Sequence, residues 1–180
     1  MPKPSERPKR EDLPYRDCVG TAVFNAQGLV FVGRRMADGS ADRTEVDAPW
    51  QMPQGGIDKG ETPIEAAWRE LFEETSIRTA ELVAEAPEWS YYDLPDEALG
   101  IALKGKYRGQ RQRWFAFRFT GKDSDIDVTN PGGGAHPAEF DTWRWEKLET
   151  LPDLIVPFKR DAYLQVVAAF KDVPAGVRGS

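Results

Sequence analysis

Three glutamates, Glu70, Glu73 and Glu74, stand at relative positions 0, +3 and +4 within GGIDKGETPIEAAWRELFEETSI, residues 55–77. On a helix of about 3.6 residues per turn this spacing sets all three carboxylates along one face. Like charges so arranged repel by roughly 1 kcal/mol or more per pair, depending on the local dielectric. Water can solvate such a face, which is its commonest fate on a surface helix, or a multivalent cation can neutralise it. With a cation bound, the same carboxylates could serve to activate a water and offset charge on a phosphate chain.

The flanking residues favour the second use. Thr62-Pro63-Ile64-Glu65 has the form of a capping box with proline at the first helical position, which fixes where the helix starts. Ile64, Trp68 and Leu71, with Ala67 between them, recur at helical spacing and form a core-facing stripe. Arg69 adjoins the carboxylates and can offset part of their repulsion. Ahead of the cap, Gln54-Gly55-Gly56-Ile57-Asp58-Lys59-Gly60-Glu61 is a glycine-rich loop that lets backbone approach a ligand closely. Loop, cap and acidic helix together describe a site for metal and phosphate.

Composition narrows the chemistry. Cys18 is the only cysteine and His136 the only histidine, so cysteine- and histidine-rich zinc sites are excluded and no intramolecular disulfide can form. Any metal must be held by oxygen, which suits Mg²⁺ or Mn²⁺. Cys18 reads as a small core residue on a strand, and His136 as part of the glycine-rich loop Pro131–Pro137. The net charge of −6 argues against nonspecific coating of nucleic acid. Against that balance, Lys104, Lys106, Arg108, Arg111 and Arg113 crowd one stretch, either a solvated loop or an attraction for a phosphate chain. No apolar run approaches the roughly 20 residues of a membrane span, and no secretory signal opens the chain. A reducing, cytoplasmic setting and no membrane partner are the expectation.

The elements that must position these groups can be read from periodicity. Val19–Phe24 and Leu29–Val32 flank Asn25-Ala26-Gln27-Gly28 as a β-hairpin. Glu81–Glu85, Trp89–Tyr92, the alternating Gln112–Thr120 and Phe140–Trp145 are further strands. Residues 36–49 and 128–138 are long loops. Phe158, Ala162, Tyr163, Val166, Val167 and Phe170 recur as one face of a C-terminal helix. Residues 1–14 form a disordered arm, 15–172 one α/β domain, and 173–180 a flexible tail.

Gly55, Glu61, Arg69, Glu70, Glu73 and Glu74, at their spacing, resemble the signature box of the Nudix hydrolases. Chance agreement at six such positions is on the order of one in ten million per starting point. The box departs at Ser76, where the family has glycine; that position ends the helix with positive φ, so the serine should carry a small strain. The resemblance implies an α/β/α sandwich with a mixed β-sheet. It also implies a divalent cation at Glu70, Glu73 and Glu74 with Gly55 beside them, the same glutamates helping to activate water. Glu139 resembles the extra metal ligand or base of some Nudix branches, unless it is an ordinary surface glutamate.

Further segments extend the likeness to one branch, the bacterial RNA pyrophosphohydrolases, also described as dinucleoside polyphosphate hydrolases. They are Tyr15-Arg16, Trp50–Gly56, Gly109–Phe115, Glu139-Phe140-Asp141, Trp143-Arg144-Trp145 and Phe158-Lys159-Arg160-Asp161. The branch implies that Arg16, Arg35 and Lys159 contact 5′ phosphates and that Phe158 stacks on a base. Gln54 and Gln110 join them as substrate-binding candidates. Tyr91 and Tyr92 are stacking candidates as well, or Tyr92 is core packing. The expected activity is removal of pyrophosphate from the 5′-triphosphate end of RNA, leaving a 5′-monophosphate and promoting mRNA decay. The alternatives are hydrolysis of diadenosine polyphosphates and a non-catalytic domain that binds RNA or protein. A monomer is expected, and no protein activator is named by the sequence.

Overall fold

The computed structural model describes residues 7–36 and 49–179. Most of the expected loop 36–49 therefore lies outside the described residues. An eight-stranded mixed sheet carries the molecule. Its strands are β1 (Tyr15–Phe24), β2 (Val30–Arg35), β3 (Trp50–Gln51), β4 (Gln54–Gly56), β5 (Ala80–Glu85), β6 (Ser90–Asp93), β7 (Gly109–Phe119) and β8 (Phe140–Glu146). The helices are α1 (Pro63–Thr75), α2 (Arg160–Ala169) and α3 (Val173–Arg178).

The backbone of the sheet is the parallel pairing of β1 with β7, in continuous register from Tyr15 opposite Gly109 to Phe24 opposite Arg118. Antiparallel neighbours complete it: β2 and β4 on β1, β3 and β8 on β2, and β5 and β6 on β7. The β1–β2 hairpin turns as its composition suggests. Asn25 Oδ1 accepts from the Gln27 and Leu29 amides, and Gly28 takes a left-handed φ of 78°.

Alternation along the strands divides the side chains between two cores, one per face of the sheet. On one face Val19, Val23, Phe31, Phe115 and Phe117 pack under α1, which contributes Ala66, Ala67 and Leu71 with Ile64 and Trp68 at its margin. On the other, Phe24, Val30, Met52 and Trp114 pack against Tyr163, Val166 and Phe170 of the α2 region. A helix on each side of a mixed sheet is the α/β/α sandwich expected above. Residues 173–180 do not form the expected loose tail along the whole of their length. Val173–Arg178 is helix α3, whose Val177 is buried in the second core, because Val173 and Val177 supply one apolar face. In the N-terminal arm, Arg10–Asp12 form a short 3-10 turn and Arg10 bonds Asp96 at 2.8 Å.

Candidate active site

Helix α1 begins where its cap requires. Thr62 Oγ1 accepts the Glu65 amide at 3.3 Å, and Pro63 occupies the first turn. At the other end Ser76 sits at φ 66°, the left-handed position expected of it. Its hydroxyl donates to the Asp127 carbonyl at 3.0 Å and accepts the Gly132 amide at 2.9 Å. The loop 128–138 is thus fastened to the end of α1. His136 lies in it, edge-on to Phe72 with ring centroids 6.0 Å apart.

Between these caps the carboxylates project toward β4. Arg69 spends every N–H of its guanidinium on them and on the loop. Nε and Nη2 form a fork on Glu61 at 2.7 and 2.8 Å, and Nη2 also donates to the Gly56 carbonyl at 2.9 Å. Nη1 reaches Glu70 at 2.7 Å and Glu73 at 3.2 Å. The bond from Arg69 holds the Glu61 carboxyl below its usual range. From the sequence Arg69 reads as a box position and a partial offset of the repulsion; its role as the hub of the acidic face depends on the loop folding back over the helix.

Glu70 and Glu74 lie deeper. Burial raises the Glu70 carboxyl despite Arg69 beside it. Glu74 is only 6% exposed, and burial, then the charges of Glu70 and Glu139, push it well above the usual carboxylate range. Its Oε2 accepts the Gln54 amide at 3.3 Å, and Arg35 acts in the opposite direction. Glycine at position 55 lets the Glu70 carboxylate lie against the β4 backbone, since a methyl group there would displace it. At Gly56 a methyl would overlap the Arg16 guanidinium, so Arg16 lies directly over the loop.

The residues predicted from sequence converge to different degrees. Glu70, Glu73, Glu74, Gly55, Gln54, Arg16 and Arg35 meet around one end of α1. Glu139 is exposed just before β8, with its carbonyl accepting the Met36 amide at 3.1 Å, and its charge reaches Glu74. Gln54 and Gln110 are joined through Gln112, whose amide donates to both at 3.0 and 3.1 Å while Trp114 Nε1 donates to its oxygen at 3.2 Å. Gln112 was not singled out from sequence, where it reads as one polar residue of an alternating strand.

Phe158, Lys159 and Tyr92 form a second group. The Tyr92 and Phe158 ring centroids are 5.6 Å apart, and Lys159 Nζ lies 5.1 Å from the Tyr92 centroid. Tyr92 is 5% exposed and packs in a core with Leu94, Ala98 and Ala162, so its ring supports Phe158 and is not open as a platform. Tyr91 is the exposed member of the pair and meets Tyr15 edge-on. Lys159 is 3% exposed. Cys18, buried on β1, feels Arg16, Glu70 and Lys159 together, which ties the two groups to one neighbourhood. Burial pushes its thiol up to about 12, so it is an inert core residue.

Among the described residues no three acidic, histidine or cysteine side chains form a ready-made metal cluster. Arg69 instead occupies the outer carboxylates. The donor set still suits a hard divalent cation: every donor is oxygen, and a carboxylate as buried as Glu74, flanked by two more, calls for positive charge.

A model of the NUDIX domain matches residues 14–166. A Mesorhizobium japonicum protein named RNA pyrophosphohydrolase is 58% identical over 170 residues, covering 94% of this chain and 97% of that protein. One of the same name from Rhizobium meliloti is 61% identical over 160 residues, covering 89% and 95%. Among solved structures, the E. coli dihydroneopterin triphosphate pyrophosphohydrolase superposes with a TM-score of 0.60 at 18% identity, covering 86% of this chain and 98% of that one. A C. elegans Ap4A hydrolase binary complex gives 0.58 at 16% identity, covering 91% and 99%. These two likenesses concern the fold alone.

Proposed function

The chain belongs to the NUDIX domain family, and from that premise we propose that it is a pyrophosphohydrolase that removes pyrophosphate from the 5′-triphosphate end of RNA. The observation that carries this reading is the match, along nearly the full length of both chains, to relatives named RNA pyrophosphohydrolase at 58% and 61% identity. The product is a 5′-monophosphate end, which in a cell would open mRNA to decay. Like the family in general, the enzyme uses a divalent cation.

Glu70, Glu73, Glu74 and Glu139 would hold that ion, and an all-oxygen donor set favours Mg²⁺ or Mn²⁺. When bound, the cation supplies charge neutralisation on the phosphates and a more acidic water. The chain's own groups do the rest. Arg69, anchored on Glu61 by its fork, fixes the orientation of Glu70 and Glu73 through Nη1. With the positive charge of the ion to keep it ionised, Glu74 would be a candidate to accept a proton from the attacking water, coupled to Glu70 and Glu139. Arg16 and Arg35 present cations to the 5′ phosphates at the edge of the carboxylates, and Lys159 adds a third beside Phe158. Phe158, half-buried and backed by Tyr92, is placed to stack on a base. Among the described residues no helix is long and apolar enough to cross a membrane.

The test is hydrolysis by purified protein with Mg²⁺, offered 5′-triphosphorylated RNA and diadenosine tetraphosphate side by side with products resolved. Monophosphate RNA ends should form faster than the dinucleotide is cleaved; cleavage of the dinucleotide alone would refute the RNA assignment. Glu73→Gln should lower kcat at least about a hundredfold with the fold intact. Full activity in that variant would remove Glu73 from the metal site.

A further inference from the structure

The basic stretch 104–113 resolves into two unlike parts. Arg108, Arg111 and Arg113 are neutralised by Asp93 at 3.1 Å, Asp17 at 2.5 Å and Glu85 respectively. Their guanidinium planes also cover Tyr15 and Trp89. Lys104 and Lys106 have no carboxylate partner among the described residues, and neither has Arg16. These three cations line one cleft of about 220 Å³, together with Leu103 and Tyr107.

The loop that builds this cleft is held in an unfavourable shape. Leu103 and Lys104 are consecutive non-glycine residues in the left-handed region, at φ 54° and 59°. Leu103 anchors the loop against the core of Tyr92, Leu94 and Ala162. Backbone strain maintained by surrounding packing is characteristic of sites with a task. Here it keeps the two lysines on the same cleft as Arg16. Tyr107 is half-buried in the cleft and pairs with no other ring among the described residues.

Arg16 belongs to both places. Its guanidinium lies over Gly56 and its charge acts on Glu70, while the same side chain lines the cleft. An occupant reaching from the carboxylates past Arg16 to Lys104 and Lys106 must carry negative charge at both ends. A dinucleoside polyphosphate has its phosphates in one run and then a neutral nucleoside. An RNA chain has its 5′ phosphates and then a phosphodiester at every nucleotide. We propose that this cleft binds the RNA backbone downstream of the 5′-terminal nucleotide and sets a preference for an RNA chain over a dinucleoside polyphosphate. The inference rests on the RNA pyrophosphohydrolase reading above and names the part of the surface that would select the substrate.

The test compares the full-length protein with the Lys104→Ala/Lys106→Ala double variant on a short 5′-triphosphorylated oligoribonucleotide and on diadenosine tetraphosphate. The ratio of kcat/KM for RNA to that for the dinucleotide should fall about tenfold, through KM, as two phosphate contacts are lost. The slope of log KM against log salt should shrink by roughly 1.4, at about 0.7 per single-strand phosphate contact. Lys104→Arg/Lys106→Arg, which keeps charge, should restore both. An unchanged ratio, or a loss confined to kcat, overturns the proposal. If the wild-type protein cleaves no RNA, the functional reading itself fails. Fluorescence anisotropy with a 5′-monophosphorylated oligoribonucleotide then judges the cleft: weaker binding by the double variant upholds it, and equal binding overturns it.

Discussion

At the scale of single residues, Glu74 is where folding and chemistry pull apart. Burial and two neighbouring carboxylates disfavour its charge, and one backbone amide and Arg35 only partly answer them. Glutamine has the same shape, accepts the same Gln54 amide and carries no charge. Glu74→Gln should therefore raise the melting temperature measured with divalent ions chelated, while lowering kcat at least about a hundredfold with Mg²⁺ present. A lower melting temperature in chelator would show that the charge is not a burden on the fold. The sequence disclosed that Glu70, Glu73 and Glu74 share a face, because that follows from helical spacing. It could not disclose which of them is buried, since that depends on Gln54 and Arg35 approaching from other strands. Lys159 poses the same difficulty: a lysine expected to contact 5′ phosphates is 3% exposed, because the turn before α2 packs down onto β6.

At the scale of elements, both ends of α1 were legible, for local reasons. Thr62 and Pro63 determine the start through contacts within four residues, and the left-handed φ at Ser76 follows from its place after the last turn. What Ser76 gains in return was not legible, because its partners Asp127 and Gly132 lie more than fifty residues away. The left-handed backbone costs a serine roughly 1 kcal/mol or more, and two hydrogen bonds return about 0.5–1.5 kcal/mol each. Ser76→Ala keeps the strain and loses both bonds, so urea unfolding should show a loss of about 2 kcal/mol. Ser76→Gly loses the bonds but relaxes the backbone, and should lose only about 1 kcal/mol. If the alanine variant were as stable as wild type, the hydroxyl bridge to the loop would be contributing nothing. Six of the eight strands were recovered from apolar runs and alternation, but β3 was missed, β4 lies in the segment read as a glycine-rich loop, and β1 and β7 both begin earlier than their apolar runs. Tyr15–Asp17 and Gly109–Arg111 are polar or aromatic and join the sheet only because each pairs with the other in parallel.

At the scale of the whole molecule, the two faces of the sheet do different work. The α1 face and the adjoining loop ends carry the carboxylates and cations, while the opposite face is closed by α2 and α3. The closure by α3 is small but well placed: Val177 is 5% exposed, Val173 packs on the same core, and Arg178 donates to the Gln27 carbonyl at 3.4 Å. Composition hid this, since Val173–Ser180 is short, contains proline and two glycines, and offers only two apolar positions one turn apart. Ending the chain after Asp172 removes both valines; burying Val177 is worth about 1.5 kcal/mol or more, and the half-buried Val173 less. The loss of roughly 2 kcal/mol in a domain of this size corresponds to a melting temperature lower by roughly 4–8 °C. None of the carboxylates or cations of the site lies on α3, so kcat and KM measured well below the transition should stay near wild type. Differential scanning calorimetry paired with the RNA assay separates the outcomes. A melting temperature unchanged by the truncation would return α3 to the flexible tail that its composition suggests, and a loss of turnover at low temperature would mean that the closing face communicates with the catalytic one.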